Sequence, residues 1–173
     1  MKLTDFKALT FDCYGALIDW ESGMVEALKP LTSRVGREPS RNEILEAHAR
    51  HESSQQLQTP GEAYRDLLPI VYKRLAEEWG ASAPWEECVA YGCSVRNWPA
   101  FVDSAGALQY LKKHFKLIIL SNVDNENFAG SNKKLQVEFD AIYTAEDVCA
   151  YKPSDPEFRV YADQNEVFGH RKA

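Results

Sequence analysis

An apolar six-residue segment between helical patterns constrains the fold more than any other feature. Residues 116–121 (KLIILS) are apolar almost throughout, which is typical of a strand buried on both faces of a sheet. Residues 7–12 and 139–144 predict two further strands, and residues 104–114 and 125–135 predict helices. Strands that alternate with helices at this spacing form right-handed crossovers and a parallel sheet. We therefore predict an α/β fold, closed by a helix after Pro153.

The chain from residue 20 to 98 is predicted to be helical almost throughout. Ser40 and Glu43 form a capping box that begins a helix extending to about residue 57. Residues 59–62 (TPGE) predict a second box and another helix, which Pro69 kinks or divides. This helical stretch interrupts the strand pattern, so we expect it to be an inserted lobe.

The predicted division of the chain is an α/β core of residues 1–18 and 99–173 with a helical cap of residues 19–98. A length of 173 residues suits one domain or a lean core with an inserted lobe. The net charge of -6 argues against nucleic acid as a partner, because phosphate backbones bind clustered Lys and Arg. No apolar run approaches the roughly 20 residues of a membrane helix, and no secretory leader is evident. We expect a cytoplasmic protein with no membrane partner.

The cysteines and the histidine pair do not predict a metal site. The four cysteines are scattered and are expected to be free thiols. His48 and His51 are three residues apart on a predicted helix, so both could face one metal ion. Helix-surface histidines are far commoner than ligands, and the pattern H-E-x-x-H is absent here.

Polar residues follow each of the three predicted strands. Asp12 ends the first, Ser121 and Asn122 end the second, and Lys152 follows the third. Ligands of an open parallel sheet bind at the carboxyl ends of its strands, so these side chains converge if the strands are neighbours. A carboxylate beside a lysine stays ionised and can act as a nucleophile. A lone Asp after a strand is more often a turn or a helix cap, and the combination is what favours catalysis.

Three ordered segments carry a family resemblance. Residues 11–19 (FDCYGALID), 120–122 (LSN) and 151–153 (YKP) resemble the first three motifs of the haloacid dehalogenase superfamily. The stretches 121–124 (SNVD) and 139–147 (FDAIYTAED) are also similar to the 2-haloacid dehalogenases of type II. The likeness extends to about Phe158. It implies a Rossmann-like core with an inserted cap.

The resemblance also implies a reaction, hydrolysis of a short 2-haloalkanoic acid to a 2-hydroxy acid. Asp12 would attack C2 and displace halide, and water would then hydrolyse the aspartyl ester. Lys152 would keep Asp12 ionised, and Ser121 and Asn122 would receive the substrate carboxylate. The cap would exclude water, and the resemblance implies no metal or cofactor.

Tyr14 separates two activities within the superfamily. By the resemblance, phosphatases carry a second Asp at this place, which protonates the leaving alcohol and helps to hold magnesium. Halide leaves without a proton, so Tyr14 favours dehalogenation and is assigned to substrate binding. A magnesium-dependent phosphatase is the alternative enzyme.

The sequence departs from the family at several positions. Ala16 stands where Thr is usual, and Phe158 stands where Tyr is usual. By the resemblance, an arginine of the cap binds the halide. We assign this role to Arg50, with Arg41 as an alternative, while Glu46 is a competing candidate for the position that the arginine occupies in the family.

The end of the sequence lacks a counterpart of the family's fourth motif, whose carboxylates position the hydrolytic water. We therefore expect the C-terminal part of the core to be missing and the ester to stall after one halide is released. The exposed sheet edge would favour association, for example as a homodimer. A truncated, inactive relative is the non-enzyme alternative.

Overall fold

The computed structural model describes residues 6–153, and its three strands form one parallel sheet in the order β1-β2-β3. The strands are β1 (Ala8–Phe11), β2 (Lys116–Ser121) and β3 (Ala141–Thr144). The predicted α/β sheet is confirmed, and β2 begins and ends at the predicted residues. The first and third strands are shorter than predicted because their outer residues lie in the adjoining loops.

The helices follow the predicted pattern with adjusted ends. Within the described residues, five helices lie in the chain between β1 and the helix that precedes β2. Of the other three, two belong to the crossovers between strands and one follows β3. Their bounds are α1 (Trp20–Ala27), α2 (Lys29–Thr32), α3 (Arg41–Gln58), α4 (Tyr64–Glu78), α5 (Trp85–Gly92), α6 (Ser104–Leu111), α7 (Asn125–Leu135) and α8 (Ala145–Val148), with a 3-10 turn at Val95–Asn97.

The core is centred on β2, which lies between the other two strands. Leu117, Ile118 and Ile119 are completely buried, because the central strand is covered on both faces. Leu108 of α6 and Leu135 of α7 are also buried in this core. The apolar pattern of residues 116–121 thus reflects burial from both sides.

Helices α1–α5, here called the helical block, lie in the chain between β1 and α6. Within the block, α4 packs against both α3 and α5. The chain enters and leaves the block side by side: Asp19 N–H donates to Pro99 O at 2.8 Å, and Ile18 pairs with Ala100. The loop after β1 is thereby connected directly to both ends of the helical block.

The predicted helix starts have different outcomes. The capping box of Ser40 and Glu43 is confirmed. The second box is wrong: Thr59 ends α3, and α4 begins after Ala63, which makes no side-chain capping bond. Pro69 lies inside α4 and does not divide it.

Two further findings complete the description. None of the helices within residues 6–153 is long and apolar enough to cross a membrane. The helix predicted after Pro153, together with Phe158, lies outside the described residues.

Candidate active site

The residues predicted at the three strand ends meet at one edge of the sheet. Lys152 Nζ lies 2.9 Å from Asp12 Oδ1 and donates a second hydrogen bond to Leu120 O at 2.7 Å. Because β1 and β3 both pair with β2, the loops after the three strands are adjacent. The structure therefore brings together Asp12 and Lys152, which are 140 residues apart in the chain.

Asn122 holds Lys152 through the backbone. Its Oδ1 accepts from Lys152 N–H at 2.6 Å, and its Nδ2 donates to Lys152 O at 3.2 Å. Both ends of the Asn122 amide are therefore engaged in the protein. This geometry positions the lysine backbone; Asn122 also lines the cavity described below, and its contact with substrate stays a prediction.

The loop after β1 presents Asp12 to solvent. Asp12 Oδ1 accepts from Cys13 N–H at 2.9 Å, and its side chain is 53% exposed. The chain then turns sharply at Gly15, whose φ of +95° lies in the region that favours glycine. The turn is closed by Gly15 N–H donating to Ile18 O at 2.9 Å. Oδ1 is thus occupied by two donors, while the carboxylate faces outward.

A cavity of about 210 Å³ opens at this pair, and four of its ten lining residues are aromatic. Ser121 lies in its wall; the side chain is buried, and Oγ has no hydrogen-bond partner among the described residues. A free hydroxyl at this place can bind an anionic or polar ligand group. The lining residues are Asp12, Tyr14, Trp20, Glu52, Tyr64, Trp98, Ser121, Asn122, Val123 and Lys152.

Tyr14 in the cavity wall and the buried Cys13 next to Asp12 are both neutral. Tyr14 OH lies 2.9 Å from Ser131 Oγ, and its ring meets Trp98 edge to face. Burial raises the pKa of Tyr14, so its hydroxyl stays protonated. Burial, followed by the charge of Asp12, raises the pKa of the Cys13 thiol. Asp12, which pairs with Lys152, is therefore the candidate nucleophile of this loop.

Arg50 does not lie at this cavity. It is 58% exposed on α3 and pairs with Glu78 at 2.7 Å, at a separate surface depression that Glu46 also lines. Arg41 pairs with Glu21 at 3.0 Å. The structure thus gives no support to substrate binding by Arg50, and no arginine among the described residues lines the cavity.

Glu52 is the ionisable cavity residue that sequence reasoning missed. It lies on α3 two residues after Arg50, and its Oε1 accepts from Tyr64 OH at 2.8 Å. Burial is the largest influence on its pKa and raises it, but His48 and the Tyr64 hydroxyl outweigh burial and lower the pKa. The available signal was the i, i+4 spacing of His48 and Glu52, which places both on one helix face.

The described residues do not fit a magnesium site. Mg²⁺ prefers several oxygen ligands in near-octahedral geometry. Here the Lys152 ammonium lies against Asp12, Tyr14 supplies no carboxylate, and residues 6–153 contain no cluster of three metal-binding side chains. No step below involves a metal ion.

Comparisons with known proteins place this geometry in a structural class. The L-2-haloacid dehalogenase PA0810 superposes with a TM-score of 0.77 at 18% identity, over 94% of this chain and 72% of that chain. The Xanthobacter autotrophicus L-2-haloacid dehalogenase with chloropropionic acid covalently bound gives a TM-score of 0.74 at 19% identity, over 97% and 67%. The chain has the haloacid dehalogenase fold.

A protein with a different name has the same fold. The Bacillus subtilis HAD-hydrolase YfnB, bound to magnesium, superposes with a TM-score of 0.74 at 15% identity, over 95% of this chain and 76% of that chain. No family model matches the sequence, and no curated protein matches it either. The haloacid dehalogenase fold is thus established, and the chemistry must be argued from the site.

Proposed function

We propose that this protein hydrolyses the carbon–halogen bond of a short 2-haloalkanoic acid through an ester on Asp12. The observation that carries the proposal is the Asp12–Lys152 pair at the floor of the cavity, with Tyr14 in place of a second carboxylate. Halide departs as a stable anion and needs no proton. A protonated, half-buried tyrosine is therefore compatible with this reaction and is a poor acid for a leaving alkoxide.

The hydrogen bonds of Asp12 distinguish its two oxygens. Oδ1 is held by Lys152 Nζ and Cys13 N–H, so Oδ2 is the oxygen left to attack. Attack of Oδ2 on C2 forms the ester bond while the carbon–halogen bond breaks. When water later adds to Cγ, negative charge develops on Oδ1, where the same two donors stabilise it.

The remaining walls suit a small haloacid. The Ser121 hydroxyl, which has no hydrogen-bond partner within residues 6–153, is a donor available to the substrate carboxylate. Trp20, Trp98 and Tyr64 supply apolar surface for the alkyl chain and the halogen. We propose that residues 19–98 act as the cap that excludes water from the first step.

Incubation with 2-chloropropionate tests the proposal. We expect chloride release and a propionate ester on the Asp12 peptide, measured by ion chromatography and mass spectrometry. Asp12→Asn is expected to lower chloride release by at least about a thousandfold, because it removes the nucleophile. Absence of the ester, together with magnesium-dependent phosphate release from an aryl phosphate, would instead support the phosphatase.

A further inference from the structure

A second carboxylate, Glu52, lines the same cavity as Asp12. It comes from α3 in the helical block, whereas Asp12 follows β1. The role of Asp12 in the proposed function leaves Glu52 unused. A cavity of this size brings both carboxylates within reach of one small bound molecule.

The surroundings of Glu52 leave one oxygen available. Oε1 accepts from Tyr64 OH at 2.8 Å and from Gln56 Nε2 at 3.1 Å. In residues 6–153, the polar neighbour of Oε2 is His48 Nδ1, at 3.4 Å. A carboxylate oxygen accepts more than one hydrogen bond, so Oε2 can also accept from a water molecule in the cavity. The Glu52 side chain is 22% exposed, which allows that access.

The group is held in position and ionised. His48 is completely buried and packs edge-on against Tyr91, so it cannot move away from Glu52. Tyr64 is also buried, at the start of α4. The pKa of Glu52 lies below its ordinary value, and at neutral pH the group is a proton acceptor.

We propose that Glu52 is the general base that activates water for hydrolysis of the Asp12 ester. The proposal rests on the proposed function. By the resemblance, the residues that position the hydrolytic water belong to a fourth motif, which is not among the three that residues 11–153 match. Glu52 supplies such a base within the described residues.

Hydrolysis of the Asp12 ester proceeds through the addition of water and the collapse of the resulting intermediate. Glu52 Oε2 takes a proton from water as the water oxygen bonds to Cγ of the Asp12 ester, and the carbonyl electron pair moves to Oδ1. When this intermediate collapses, the Cγ–Oδ2 bond breaks and Oδ2 leaves with the product. The departing alkoxide takes the proton from Glu52 and becomes the 2-hydroxy acid. The proton left on the new Asp12 carboxyl goes to solvent.

The test compares Glu52→Gln with Glu46→Gln, using 2-chloropropionate as substrate. The glutamine keeps an oxygen for Tyr64 but cannot accept the proton. Glu46 is an exposed residue of the same helix and lines a different depression, so its variant is the matched control. The measurements are the number of chloride ions released per protein chain and the mass of the Asp12 peptide, both followed from the first turnover onward.

We expect the wild type and Glu46→Gln to release many chloride ions per chain with little ester present. Glu52→Gln is expected to release one chloride per chain and then accumulate the Asp12 ester, with turnover lowered by about 10²–10³-fold. The initial burst itself shows that the variant has a folded site. A purely structural role of Glu52 would lower burst and turnover together.

The outcomes separate the two proposals. Turnover of Glu52→Gln at the wild-type rate, loss of its initial burst, or a stalled ester in the wild type would each overturn the role of Glu52. The proposed alkylation of Asp12 would survive all three results. If wild-type Asp12 is never alkylated, the proposed function is wrong and the role of Glu52 is wrong with it.

Discussion

At the scale of single residues, the position of Lys152 is determined by four hydrogen bonds to three residues. Its ammonium donates to Asp12 and to Leu120 O, and its backbone is held at both ends by Asn122. The charge therefore stays beside the nucleophile before and after the ester forms. A fixed cation of this kind stabilises developing negative charge without reorganisation.

We predict that Lys152→Met lowers the rate of Asp12 alkylation by about 10²–10³-fold, because the carboxylate loses its counter-charge and its alignment. Lys152→Arg is the control, since it keeps the charge but fits the two acceptors poorly, and it should lose less. The measurement is the rate of the first chloride released. An unchanged rate in Lys152→Met would contradict the assigned role.

The sequence predicted the strand-end residues better than the cap residues. Asp12, Ser121 and Lys152 follow strands, and the pairing of parallel strands places their ends together. Arg50 was chosen on α3, whereas Glu52 lines the cavity. Successive residues of a helix are rotated by about 100°, so side chains two positions apart point in directions about 200° apart. Which face meets the cavity depends on packing between helices, and the local sequence does not specify it.

At the scale of elements, Gly92 lets α5 approach α4 closely. A Cβ at Gly92 would lie 2.3 Å from Arg65 O and 2.9 Å from Pro69 Cδ. Pro69 has no N–H to donate to the carbonyl four residues before it. The helix thus tolerates its proline, and the adjacent helix packs directly on the altered turn.

We predict that Gly92→Ala lowers the free energy of unfolding by about 1–3 kcal/mol, because the added methyl group overlaps the α4 backbone. Gly106→Ala is the matched control in α6, where, in residues 6–153, no atom outside the local helix backbone lies within 4 Å of the added methyl group. That variant should raise the free energy of unfolding by about 0.5–1 kcal/mol. Urea denaturation measures both. Equal stability of the two variants would disprove the close contact.

The beginning of α4 shows why a local pattern can fail. The sequence around residues 59–62 predicted a capping box, but the first turn of α4 receives its acceptor from Asp124, 59 residues after Arg65. Capping rules read from sequence assume a local partner. A cap that comes from another element depends on the tertiary fold.

At the scale of the whole molecule, Asp124 joins the helical block to the α/β elements. It is completely buried and caps α7 by accepting from Asn127 N–H at 2.9 Å. It also accepts from Arg65 N–H at 2.9 Å and lies 3.3 Å from the Arg65 guanidinium. One carboxylate therefore satisfies the starts of two helices that belong to different parts of the protein.

We predict that Asp124→Ala lowers the free energy of unfolding by about 3 kcal/mol, because several donors at the two helix starts lose a charged acceptor. Asp66→Asn is the control, since Asp66 is exposed and its carboxylate makes only a long contact, 3.9 Å, with Arg65 Nε. This variant should change the free energy of unfolding by less than about 0.5 kcal/mol. Chemical denaturation measures both variants. Similar effects of the two substitutions would show that Asp124 does not connect the two parts.

The shared Asp124 cap also bears on how substrate enters. Rotating the helical block away from the sheet would remove the acceptor from the first turn of α4, so wide opening carries the cost of uncapping a helix. We therefore expect molecules to enter and leave through small rotations of side chains that line the cavity, such as the half-buried Trp20. Admission then becomes progressively slower for bulkier acids, so that discrimination by size is expressed in the association rate before any chemistry begins.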